Sequence, residues 1–184
     1  DPIVIVVEDE EEEEEQEVIS HEGLALNPLT GLWINEEVAT RRPVAVMINN
    51  IKAALPQSGI SEADVMYETL AEGNITRLVA VFQDFDTDKI GPVRSTRHYY
   101  LNIAFDHDAI FVHHGGSPQA YEAIKKLEPA DLNSLSYLEN IMAWRDPVRS
   151  KKRGMYEHSL YISAEGIMKA WKKVGYREER QKDL

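Results

Sequence analysis

Pro43-Val44-Ala45-Val46-Met47-Ile48 runs without a polar interruption into Asn49-Asn50. A half-exposed strand would alternate apolar and polar residues, and an amphipathic helix would repeat every three or four. An unbroken run of this length, rich in β-branched residues, instead fits a strand buried on both faces, with its polar end in a loop. Such a strand needs other strands on its flanks and covering layers above and below. It therefore predicts a central strand in a sheet sandwiched by helices.

The rest of the chain supplies those partners. Asp64 to Leu70 and Thr76 to Gln83 read as two strands around Ala71-Glu72-Gly73-Asn74, and facing Leu70 with Ile75 puts Glu68 opposite Arg77 as a cross-strand ion pair. Ser95 is the expected cap of a helix carrying Leu101, Ala104 and Phe105 inward. Ala109 to Val112 is a short buried strand. Ser117-Pro118 then opens the clearest helix, with Ala120, Ile124 and Leu127 at helical spacing. After an irregular stretch, Glu157 to Ile162 reads as a strand, and Ser163 caps a last helix bearing Ile167, Trp171 and Val174 and ending at Gly175. This alternation predicts an α/β fold, a mixed sheet with packed helices, as one domain over residues 24–184 behind an acidic spacer over residues 1–23.

The net charge of −12 belongs to that spacer. Eleven of the 32 acidic side chains lie within residues 1–22, which hold no Lys or Arg, so the body carries 21 acids against 20 bases. A nearly neutral body offers no broad basic surface, which argues against nucleic acid as a partner. The chain has no cysteine, hence no disulfide and no thiolate metal site. Ile3 to Val7 is too short to span a bilayer, although it could pair as an edge strand. No cofactor motif is present. Gly115-Gly116-Ser117 lacks the Gly-Lys-Ser/Thr ending of a phosphate loop, and Asp106-His107-Asp108 reads as a solvated loop rather than a metal site.

Two junctions carry the chemistry: Gly91-Pro92-Val93-Arg94-Ser95-Thr96-Arg97, and Val112-His113-His114-Gly115-Gly116-Ser117-Pro118. Each reads as a strand end, a turn and a helix start, where ligands of open α/β sheets collect. Asn49 falls at such an end too. Arg94 and Arg97, three apart, can reach one phosphate or carboxylate, unless they pair with Glu68 or Glu72. His113 and His114 point to opposite faces, so one serves the site and the other the core, and His114 is the candidate. Ser117 followed by proline reads as a cap more than a nucleophile. Arg145, Arg149, Lys151, Lys152 and Arg153 form a charged loop that, folded over the strand ends, would add cations and His158 to the same pocket.

The ordered set Asn27-Pro28-Leu29-Thr30-Gly31, Arg42 to Asn50, Pro56-Gln57-Ser58-Gly59, Glu62-Ala63-Asp64, Gly73-Asn74-Ile75-Thr76-Arg77, Ile90 to Arg97 and His114-Gly115-Gly116-Ser117-Pro118 resembles the amino-terminal domain of the YerB-like bacterial lipoproteins, over roughly residues 26–176. The resemblance implies a bacterial, mainly Gram-positive envelope and a lipid-anchored N-terminus, with the acidic stretch as spacer from the membrane. It also implies that Glu68, Arg77, Arg94, Arg97, His114, Arg145, His158 and Tyr161 matter. For the full-length protein the resemblance further implies a lipid-modified cysteine and a second, C-terminal domain as a partner of this one.

Three functions follow as expectations. The first is an extracytoplasmic domain that binds an anionic envelope ligand bearing phosphate or carboxylate, held by Arg94, Arg97 and the Gly115-Gly116 turn, with Asn49, Arg77, Ser117, Arg145 and Tyr161 around it. It needs no cofactor or metal, and touches the membrane only through a lipid anchor. The second is a hydrolase of a phosphodiester or glycan, with His114 or His158 as acid or base and Glu68 as carboxylate partner. The third is a protein-interaction scaffold with an exposed apolar patch.

Overall fold

The computed structural model describes residues 20–181. The edge strand expected at Ile3 to Val7 and most of the acidic spacer lie outside the described residues. The body begins with a hairpin of β1 (Leu24–Leu26) and β2 (Trp33–Asn35), followed by α1 (Glu36–Thr40), whose cap is Asn35 Oδ1 accepting from Glu37 N. The main sheet contains β3 (Val44–Asn49), β4 (Val65–Leu70), β5 (Thr76–Phe82), β6 (Ile110–His113) and β7 (Asp131–Asn133). Its order is β4-β5-β3-β6-β7, with β3 antiparallel to β5 and parallel to β6. The sheet is mixed and the fold α/β.

The central run behaves as its composition requires. Val44, Val46 and Ile48 enter one core with Trp171, Ile167 and Met142, whereas Ala45 and Met47 enter a second with Tyr100, Leu101 and Phe111. Alternate side chains of one strand thus build two cores on opposite faces. The first core is closed by α4 (Glu139–Met142), α5 (Ala164–Val174) and a small hairpin of β8 (Ala143–Arg145) and β9 (Leu160–Ile162). The second is covered by α2 (Leu101–Asp106) and α3 (Pro118–Leu127). As expected, Ser117 and Ser163 cap α3 and α5, and Gly175 ends α5 in the left-handed region. Among the described residues no helix is long and apolar enough to cross a membrane.

Three local expectations need correction. The β4–β5 hairpin pairs Leu70 with Thr76, so Glu68 faces Leu78 and Thr69 faces Arg77. Ala71 N donates to Ile75 O, closing the loop one residue later than assumed, and a one-residue shift exchanges the faces of every side chain. The Glu68–Arg77 pair therefore does not form. Ser95 caps no helix: Val93 N and Arg94 N donate to Leu160 O and Met47 O on neighbouring strands and Thr96 N to Gly115 O, and a short 3₁₀ turn, His98–Tyr100, leads into α2. Glu157 and His158 likewise sit in a 3₁₀ turn, Tyr156–His158, before β9 begins.

Candidate functional site

β3 and β6 pair side by side only as far as Val46 and Val112. Beyond that point they part, and the ribbon of residues 92–96 is inserted between them. On one side Asn49 N donates to Pro92 O at 2.9 Å and Arg94 N to Met47 O at 3.0 Å. On the other, His114 N donates to Arg94 O at 3.1 Å, Thr96 N to Gly115 O at 2.9 Å and Ser117 N to Thr96 O at 3.2 Å. The two junctions recognised in the sequence are thus one structure, each supplying the other's missing backbone partners. The chain leaves β3 toward β5 and leaves β6 toward β7, so the parting is a topological switch point, where crevices of α/β sheets form. Arg94 occupies it.

The side chains around Arg94 are held in defined states. Its guanidinium donates to Glu157 Oε2 at 2.7 Å; the Glu157 side chain is 67% exposed, and this contact holds its carboxyl below the usual range. His158 is buried, and Asn49 Nδ2 lies 2.8 Å from its Nδ1. An amide nitrogen can only donate, so Nδ1 accepts and the His158 proton sits on Nε2. Ser134 Oγ donates to His113 O at 3.2 Å and therefore accepts from His114 Nδ1 at 3.0 Å, which leaves His114 Nε2 as a lone pair facing Arg145 at 3.4 Å. Burial lowers the pKa of both imidazoles; nearby Arg145 lowers that of His114 further, and Arg94 does so for His158. Both rings are neutral at pH 7. Arg145 also donates to Tyr156 O at 2.8 Å and lies 4.0 Å over the Tyr156 ring. Beneath them the buried Arg77 donates to Ser95 O, its own pKa lowered first by burial and then by Arg97 and Arg94.

The charged loop does fold over the strand ends, bringing Arg145 and His158 to Asn49, Arg94 and His114. Other expected members lie elsewhere. Arg97 does not share an anion with Arg94: it grips Glu72 with two nitrogens, its Nη2 at 2.8 Å, and this holds the Glu72 carboxyl down to about 2. Glu68 is exposed and held by Asn50 at 2.9 Å and Thr76 at 2.7 Å, not by a histidine. The Gly115-Gly116 turn is not an open cradle, because a Cβ at Gly115 would meet Leu135 at 3.1 Å and one at Gly116 would meet Ala120 at 3.2 Å. Ser117 spends its hydroxyl on Ala120 N. Tyr161 is buried in a separate cleft, where Arg149 donates to its hydroxyl and Lys89 lies over its ring. His113 is the core histidine, between Gly115 O and the Asp131 carboxylate. Among the described residues no group of three or more His, Cys, Asp or Glu side chains is placed to hold a metal.

Sequence reasoning missed Glu157 as counter-ion and Ser134 as the group that sets the His114 tautomer, and it took Arg149 only as one cation of the charged loop. The Arg149 guanidinium donates to Ala54 O at 3.0 Å and Leu55 O at 2.6 Å, tying the 51–56 loop to the charged loop. Neither Glu157 nor Ser134 has a local sequence signal, since Arg94 lies 63 residues from the first and His114 20 residues from the second.

Comparison with known proteins agrees with this architecture. Residues 29–177 match the family described as "Protein of unknown function (DUF3048) N-terminal domain". The protein named "Putative lipoprotein YerB" from Bacillus subtilis (strain 168) is 40% identical over 154 residues, which cover 84% of this chain and 45% of that protein. The crystal structure of YerB protein from Bacillus subtilis superposes with a TM-score of 0.73 at 40% identity, covering 84% of this chain and 51% of that one. The chain thus spans about half the length of these relatives.

Proposed function

This chain belongs to the DUF3048 N-terminal domain family, and from that membership and the charge arrangement at the switch point we propose that it is an extracytoplasmic envelope domain that binds an anionic ligand through Arg94 and Arg145. A lipid-anchored place in the bacterial envelope rests on the name of the Bacillus subtilis relative. The observation that carries the ligand class is the Arg94–Glu157 contact: among the described residues, the partly buried Arg94 guanidinium at the switch point is paired only with a solvent-facing carboxylate from a surface turn. A phosphate or carboxylate of a ligand can take the place of Glu157 without disturbing a buried partner. Arg77, Arg145 and the Nε2–H of His158 make the surroundings rich in donors.

Binding is favoured over hydrolysis by the histidine tautomers. A general base needs a free lone pair within reach of a proton. The Nδ1 lone pair of His158 is taken by Asn49 and the Nε2 lone pair of His114 by Arg145, while Glu68 is engaged by Asn50 and Thr76 and bonds to neither histidine. Calorimetric titration with inorganic phosphate and with phosphorylated or carboxylated glycan fragments tests the reading. Wild type should bind saturably, and Arg94→Ala with Arg145→Ala should weaken binding at least about tenfold, the scale of one lost hydrogen bond to a charged group. Equal affinity of the two proteins overturns it.

A further inference from the structure

Aromatic surface adjoins Arg145 at the proposed anion site. Arg145 touches His114 and lies over Tyr156; a Cβ on Gly115, the next residue after His114, would fall 3.5 Å from Tyr121 Oη and 3.1 Å from Leu135 Cδ2. Tyr156 is 59% exposed, Tyr121 43% and Leu135 55%. These side chains stand on three different elements, the 3₁₀ turn before β9, α3, and the loop after β7, and Tyr156 is the one in contact with Arg145.

A site for a bare anion has no use for flat aromatic surface at its rim. A tyrosine ring offers an apolar face and a polar tip, which suits a ligand that is itself polar at its edges and has C–H groups on one face. Arg145 already stacks on one side of Tyr156 and is held there by Tyr156 O, which fixes the ring orientation while most of its surface stays in solvent. A sugar ring has the matching character: hydroxyls at the edge and a C–H face for the aromatic. Its phosphate or carboxylate would then lie against Arg94 and Arg145.

Resting on the anion-binding reading, we propose that the ligand is a glycosyl phosphate, with the phosphate at Arg94 and Arg145 and the sugar packed on Tyr156. The Arg-plus-aromatic combination also occurs where nucleic acid bases stack, so a nucleotide is the competing occupant. The nearly neutral body disfavours a polymer of nucleotides.

Titration of the whole chain with inorganic phosphate, glucosyl phosphate and uridine monophosphate separates the outcomes. The expected result is that glucosyl phosphate binds more tightly than phosphate, and that Tyr156→Ala lowers the ratio of the two affinities by about three- to tenfold, the scale of one aromatic contact, while Tyr156→Phe keeps the ratio. Tyr156→Ala retains the backbone carbonyl used by Arg145 and Ser159, and its side chain is on the surface, so the fold does not depend on it. Phosphate and glucosyl phosphate binding equally, or a ratio unchanged in Tyr156→Ala, overturns the sugar subsite and leaves the anion site standing. Uridine monophosphate binding more tightly than glucosyl phosphate overturns it in favour of a base. Failure of all three compounds to bind overturns the glycosyl phosphate proposal and, with it, phosphate as the ligand of Arg94 and Arg145.

Discussion

Gly91→Ala is the substitution that most directly tests how the ribbon between β3 and β6 is built. Gly91 has φ of 140°, outside the regions open to residues with a Cβ. A Cβ there would lie 2.8 Å from Val93 N and 2.9 Å from Leu160 O, with Tyr161 Cδ1 at 3.2 Å. The two nearest atoms are backbone, so no rotamer change relieves the contact. The dihedral costs about 1–3 kcal/mol. Overpacking against fixed atoms costs about another 1–3 kcal/mol. Together these amount to roughly 2–6 kcal/mol out of the 5–15 kcal/mol typical of a domain. At about 2–4 °C per kcal/mol for a domain of this size, the melting temperature should fall by at least about 4 °C. The urea midpoint should fall with an unchanged slope. Gly154→Ala is the comparison, since Gly154 also has positive φ, at 73°, but a Cβ there meets nothing within 4 Å. It should lose only about 1 kcal/mol. If Gly91→Ala is no less stable than Gly154→Ala, the ribbon is not packed as described, and the placement of Arg94 that depends on it fails.

Two further outcomes follow from the carboxylates around the arginines. Glu157→Gln removes the internal competitor of an anionic ligand at Arg94, so phosphate affinity should rise, by up to about fivefold given the worth of an exposed ion pair; unchanged or weaker binding in calorimetry would mean that Glu157 does not occupy the ligand's place. Glu72 is held at about 2 by Arg97, below its ordinary 4.5, so its contribution to stability is complete above about pH 4.5 and is lost as pH falls toward about 2. Because the Glu72 side chain is 63% exposed, that contribution is about 1 kcal/mol or less. The urea midpoints of wild type and Glu72→Gln should therefore differ near about pH 6 and converge near about pH 2.5; a gap that stays constant would show that the pair is not what separates them.

Elements with a strong local pattern were legible in the sequence. The doubly buried β3 needs nothing but its own apolar run, and α3 and α5 carry both caps and helical spacing. The three-residue strands β1, β2, β7 and β8 were not legible, because three residues cannot establish a period and their pairing is fixed by what lies beside them. The hairpin register failed by a single residue. Gly73 and Asn74 both adopt positive φ in the turn, and this local geometry sets which strand residues meet.

By itself, the sequence determined the α/β class, the central strand and the family, since each of these is encoded in contiguous residues. Only the tertiary structure decided that the junctions are halves of one ribbon wedged where β3 and β6 part. It also decided that Arg97 turns to Glu72 while Arg94 stays at the crevice, and that Ser134, Asn49 and Arg145 set the tautomers of the two histidines. The reason is physical: backbone pairing and ion-pair choice depend on which distant groups are brought within about 3 Å, and hydrogen bonds do not act beyond that range.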